Sequence, residues 1–153
     1  MDTITIIFTK RRFNPASWLI RWALPRSRFY FARASHCMVV DGDYVIEANM
    51  LQGARRVLLS EAMKGCVEVE RITYQVPNAE AGLEWARHQV DKGYDWKGAL
   101  GLALSPDRDW QEDDRWECFE LAAATIHKAG RIIFQDTGHI SGNMLMAIHP
   151  EAA

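Results

Sequence analysis

The stretch Ser35-His36-Cys37-Met38-Val39-Val40-Asp41-Gly42-Asp43-Tyr44-Val45-Ile46-Glu47-Ala48-Asn49 decides the fold. Two alternating apolar runs flank Asp41-Gly42, the strongest short-range signal for a β-hairpin with a two-residue turn. With Asp41-Gly42 as the loop, Val40 pairs with Asp43, Val39 with Tyr44, Met38 with Val45, Cys37 with Ile46 and His36 with Glu47. Directly opposed residues of an antiparallel pair hold their Cβ atoms about 4.5–5.5 Å apart on one face. This register predicts an imidazole beside a carboxylate, an arrangement that sets a histidine's tautomer and stabilises its cation. Asn49, diagonal to His36, is a second candidate for orienting the ring, and Cys37 points away from it, toward a core.

Outward from the hairpin, residues 3–8 alternate as a strand, and Asn14-Pro15-Ala16-Ser17 opens a short helix carrying Trp18, Leu19 and Trp22 until Pro25. Residues 54–59 and 66–74 read as further strands, with a turn of helix over 60–63 between them. Asn78 caps an amphipathic helix over 79–92, with Leu83, Ala86 and Val90 on its apolar stripe. A small-residue helix is expected over 97–104, and Ser105-Pro106-Asp107 as a loop. Asp114-Arg115-Trp116-Glu117 has the form of a capping box, opening a helix that runs to Ala129 before Gly130. The remainder, 132–134 and 140–148, reads as strand and irregular tail. Antiparallel strands with segregated helices define an α+β fold, and 1–153 reads as one domain without repeats or linker.

A net charge of −2 gives no electrostatic case for nucleic-acid binding. No apolar run is long enough to span a bilayer, so membrane contact is expected only at a peripheral surface. The N-terminus lacks the basic segment of a secretory signal. Cys37, Cys66 and Cys118 cannot all pair and none lies in a CxxC. A reduced, cytoplasmic site of synthesis is expected, with delivery to an envelope or in a phage particle left open. The histidines show no ligand spacing, so neither a metal nor another cofactor is expected.

A histidine–carboxylate pair calls for a nucleophile, and Cys118 is the candidate. With Asp114 as N-cap, Cys118 falls at the end of the first helical turn, where the positive end of the dipole favours a thiolate. Beside a histidine cation such thiols drop from about 8.5 to roughly 3.5–7.5. Glu117 and Glu120 act against this unless their side chains point away. The plain alternative is that Cys118 is a small buried hydrophobe.

The segments Ser35-His36-Cys37-Met38-Val39-Val40, Val45-Ile46-Glu47-Ala48, Gly93-Tyr94-Asp95-Trp96 and Trp116-Glu117-Cys118-Phe119-Glu120-Leu121 resemble the circularly permuted papain-like cysteine hydrolases. These are NlpC-type relatives of the YiiX/YaeF kind, in which histidine precedes cysteine, and small phage and prophage proteins share the outline. The resemblance implies a permuted papain-like fold with an antiparallel sheet packed against helices. It implies Cys118 as nucleophile, His36 as base and then acid, and Glu47 as orienter. Tyr94 would assist the Cys118 amide in an oxyanion hole, and Phe119, where the family carries a small residue, would stand beside the nucleophile and narrow the site. The implied activity is hydrolysis of an amide through a thioester. The implied substrate is a small peptide or amide such as a peptidoglycan stem peptide. A lipid or acyl-amide hydrolase or acyltransferase of the same fold, similar to lecithin retinol acyltransferase-like enzymes, is an alternative. An inactive phage or prophage structural or binding module is another.

Overall fold

The structure, a computed structural model, describes residues 1–11, 33–95, 115–135 and 140–148. The expected helix opened by residues 14–17, the helix over 97–104, the loop at 105–107 and the cap at Asp114 lie outside the described residues.

Five antiparallel strands form one sheet in the order β4-β3-β2-β1-β5. In chain order they are β1 (Asp2–Arg11), β2 (His36–Asp41), β3 (Tyr44–Asn49), β4 (Gly53–Leu58) and β5 (Cys66–Val76), with a short helix α1 (Leu59–Ala62) after β4. Helix α2 (Ala79–Arg87) follows. A two-residue parallel bridge then joins β6 (Gly93–Tyr94) to β7 (Arg115–Trp116). Helices α3 (Cys118–Lys128) and α4 (Gly142–Met146) complete the described elements. The chain is α+β, as its pattern of alternation implies.

Strand alternation sorts the apolar side chains onto two faces. Ile4, Ile6 and Phe8 of β1, Cys37 and Val39 of β2, Ile46 and Ala48 of β3 and Tyr74 of β5 share one core with Ala86 of α2 and Leu121, Ala122 and Ile126 of α3. Ile7, Met38 and Val45 point the other way and meet Ala62 of α1 in a smaller cluster. The sheet is therefore covered on both sides, and α3, buried along most of its surface, lies across the larger face.

The hairpin forms where expected but two positions out of register. Val39 pairs with Ile46, Val40 with Val45 and Asp41 with Tyr44, so the turn is Gly42-Asp43 rather than Asp41-Gly42. Gly42 has φ +64° while Asp43 has no positive φ, the pattern of a type II′ turn with glycine first. The deciding term is Asp41. Its buried carboxylate binds Arg56 of β4 at 2.6 Å and Arg87 of α2 at 2.6 Å, so it must stay in the strand. Continued along the strands, the observed register sets His36 level with Asn49 and makes Glu47 its diagonal neighbour. A slip of two preserves faces, whereas a slip of one would have separated the pair.

Helix α2 stops at Arg87 rather than near Lys92. Past it, Asp91 takes φ 74°, its N–H donates to the Ala54 carbonyl, and the Ala54 N–H donates to the Lys92 carbonyl, both at 2.8 Å. Gly53 has φ +73°, and any Cβ there would collide with the Lys92 carbonyl, so this clamp requires glycine. The clamp delivers Tyr94 to β7. The expected tail strand over 140–148 is instead α4, capped by Ser141 Oγ and tied to the sheet by Tyr74, whose hydroxyl donates to the Leu145 carbonyl at 2.8 Å.

Candidate active site

The open end of the β2–β3 hairpin, the β6–β7 bridge and the start of α3 converge. Pairing Tyr94 with Trp116 holds the chain extended up to Glu117, so α3 begins at Cys118, as its first helical residue. The N-cap is Glu117, not the expected Asp114. Glu117 Oε2 accepts from the Phe119 N–H at 2.9 Å and the Glu120 N–H at 3.2 Å. These bonds satisfy two of the amides left open at a helix start.

His36, the first residue of β2, sits between Glu47 and Cys118. Its Nε2 lies 2.5 Å from Glu47 Oε2. Cys118 is near enough on its other side to act on the imidazole's protonation, while the bond that the thiol itself makes is to Glu117. Glu47 is 3% exposed and His36 21%, so the carboxylate is enclosed and the imidazole reaches solvent. Glu47 Oε1 accepts from Arg55, at 2.8 Å from Nε and also from Nη2. Arg55 stands directly across from Glu47 on β4 and in turn binds Gln52. Sequence reasoning missed Arg55; the signal was an arginine on the strand following the hairpin, visible only once β3 and β4 are paired.

The electrostatics follow from this enclosure. Burial would raise Glu47, but His36 and Arg55 hold it below the usual carboxylate range. Burial pulls His36 down, yet the Cys118 sulfur and the Glu47 carboxylate more than offset it and hold the imidazole at about 10. Burial pushes the Cys118 thiol well up, helped by Cys37 and Glu117 and only partly countered by His36. The cation is favoured most when the sulfur is a thiolate, so sulfur and imidazole exchange protons as one unit.

Two further groups bond Cys118, one at its sulfur and one at its carbonyl. The Cys118 Sγ–H donates to Glu117 Oε1 at 3.0 Å, so the carboxylate that caps the helix also grips the thiol. Cys37 Sγ–H donates to the Cys118 carbonyl at 3.2 Å, and the two thiols are near enough to influence each other's protonation. Cys37 is thus in the core as expected, yet it also meets the candidate nucleophile.

The remaining site residues separate. Tyr94 is buried near Cys118 and Glu117, and burial followed by these neighbours pushes its phenol up. Asn49 does not orient His36, because its Oδ1 accepts the Leu51 N–H at 3.0 Å within the β3–β4 turn. The Phe119 ring does not stand over the nucleophile. It is buried in the main core against Gly142 of α4, where a Cβ would lie 2.7 Å from its Cε1. Bulk after the cysteine is therefore absorbed by a glycine on another helix, a relation that no local pattern encodes.

Chemically the arrangement offers a thiol, a histidine near enough to act on its protonation and a buried carboxylate that fixes the histidine. The Cys118 N–H has no acceptor among the described residues, whereas the next two amides are occupied by Glu117. Among the described residues no cluster of histidine, cysteine and carboxylate is arranged to hold a metal, and no helix is long and apolar enough to cross a membrane. The chain matches no family model, no curated protein and no solved structure.

Proposed function

We propose that this protein is a cysteine-dependent amide hydrolase with a circularly permuted papain-like fold, in which Cys118, His36 and Glu47 act together. One observation carries the reading: a histidine lies between a helix-initial cysteine and an almost fully buried glutamate. Packing alone does not require a buried ionised carboxylate, and holding one takes compensating partners. Here those partners are His36 and Arg55.

In this reading the reactive form is the one in which His36 and Cys118 share a single proton, held on the imidazole as the Cys118 sulfur attacks the amide carbon. The oxyanion meets the Cys118 N–H and the Tyr94 side of the site. The C–N bond breaks as His36 returns the proton to the leaving amine, and water, activated by the same imidazole, hydrolyses the thioester. Glu47 keeps Nε2 protonated, so Nδ1 is the working atom. The substrate proposed from the sequence resemblance is a peptidoglycan stem peptide or a similar γ-glutamyl-type amide.

The test is alkylation by iodoacetamide at graded pH, mapped by peptide mass for each cysteine, with hydrolysis of a γ-D-glutamyl stem peptide alongside. Cys118 should react faster than Cys66 despite its burial, His36→Ala should abolish the advantage, and Cys118→Ser should release no amine. A Cys118 that reacts no faster than Cys66 and ignores His36→Ala refutes the hydrolase. A second reading, a binding module that keeps the shell without the chemistry, is favoured by one observation: the resting thiol is bonded to Glu117 and pushed up by burial.

A further inference from the structure

We propose that Cys37 and Cys118 form a paired-thiol modification site, which a hydroperoxide converts into an intramolecular disulfide.

The two residues come from different elements, the second position of β2 and the first of α3, yet their side chains converge. Cys37 Sγ lies 3.2 Å from the carbonyl oxygen of Cys118, and each thiol acts on the other's protonation. All three cysteines are free thiols, Cys37 and Cys118 being buried and Cys66 partly exposed. A disulfide needs sulfurs about 2.05 Å apart on Cα atoms within roughly 7 Å. A Cys37 sulfur already against the Cys118 backbone across a strand–helix packing face needs side-chain rotation to reach that state, not refolding.

The order of events follows from the surroundings. Cys118 is 5% exposed and has a histidine nearby to share its proton, whereas Cys37 is 0% exposed and has no such histidine among the described residues. The Cys118 sulfur, losing its proton to His36, attacks the peroxide O–O bond. That bond breaks, an oxygen is transferred to give Cys118–SOH, and the alcohol or water leaves with the proton from His36. The Cys37 sulfur then attacks the Cys118 sulfur, the S–O bond breaks, and water leaves carrying the Cys37 thiol proton. In sum, two thiols and one hydroperoxide give one disulfide, one alcohol (water for hydrogen peroxide) and one water. The second step joins side chains of residues already in contact, so it outruns further oxidation of the sulfenic acid. The consequence is protection: a core cysteine beside the candidate nucleophile turns an irreversible oxidation into one that a thiol reductant reverses. This chemistry does not require that Cys118 hydrolyse anything.

The experiment treats the reduced full-length protein with hydrogen peroxide, blocks free thiols with iodoacetamide, and maps peptides without reductant. The expected product is a cross-linked peptide pair carrying Cys37 and Cys118, lost on dithiothreitol treatment, with Cys66 still alkylated. In Cys37→Ser, checked for folding by circular dichroism, Cys118 should advance to sulfinic and sulfonic acid at the same peroxide dose. Over-oxidised Cys118 without the cross-link in the wild type overturns the proposal. So does an absence of cross-link at a dose that fully oxidises free cysteine. The wild-type map decides the matter even where the serine variant fails to fold.

Discussion

Glu117 performs two tasks with one carboxylate, and Glu117→Gln separates them. Oε2 caps α3 through the Phe119 and Glu120 amides, while Oε1 accepts the Cys118 thiol proton at 3.0 Å. Glutamine keeps a carbonyl oxygen able to accept from the amides but removes the charge. A hydrogen bond to a charged partner contributes about 1.5–3 kcal/mol against about 0.5–1.5 for a neutral pair. A loss of about 1.4 kcal/mol from the protonated thiol raises its thiolate fraction about tenfold. Alkylation of Cys118 should therefore quicken about tenfold in the variant. Burial pushes Glu117 up, so its charge is lost early as pH falls, and the gain should be larger at pH 8 than at pH 5. The cap charge itself is worth about 0.3–1 kcal/mol at a helix N-terminus. For a chain of this length that lowers Tm by only about 1–4 °C. Iodoacetamide kinetics across pH, with thermal unfolding of the same samples, reads both quantities. An unchanged or slower Cys118 in a variant whose Tm has barely moved would refute the idea that Glu117 holds the thiol protonated.

The enclosed pair also shapes stability. His36 is held at about 10 against an unfolded value of 6.5, so its stabilisation is complete below pH 6.5 and is lost as pH rises from there through 10. Cys118, raised by burial, acts in the same direction at higher pH. Denaturant midpoints should fall across that alkaline window, and a wild-type curve that stays flat there contradicts the assignment. Asp41 is held low chiefly by the Arg87 hydrogen bond, which outweighs burial and is joined by Arg56, so its contribution is present at neutral pH and lost as pH falls below its unfolded value of 3.8. Asp41→Asn removes the charge that both guanidiniums bind, leaving Arg87 its second carboxylate, Glu80. Because the guanidiniums are about a third exposed, the cost is about 1–3 kcal/mol, read as a Tm loss of about 2–12 °C. Gly142→Ala sets a methyl 2.7 Å from the Phe119 ring and should cost about 1–3 kcal/mol by overpacking, measurable by urea unfolding. Phe119→Leu combined with it should recover part of the loss, and additive losses would mean that the ring is not what the methyl meets.

What the chain disclosed of this site depended on the range of the interaction that fixes each part. His36 and Glu47 were legible together because alternation within one hairpin decides faces, and an error of two in register leaves faces intact. The turn was misplaced because the term that decides it joins Asp41 to Arg87, forty-six positions further on. The helix start was misplaced for the same kind of reason. Asp114 to Glu117 satisfies the capping-box pattern, but Tyr94 draws Trp116 into a bridge, keeping the backbone extended until Glu117 itself must cap. That displacement has a chemical consequence. It moves Cys118 from the end of the first turn to the first helical residue and puts the capping carboxylate on the thiol. The same three residues that local patterns bring together are thereby set in a different electrostatic balance from the one local patterns imply. Whether the site works as a hydrolase thus turns on Glu117, a residue whose sequence signal pointed only to a helix end.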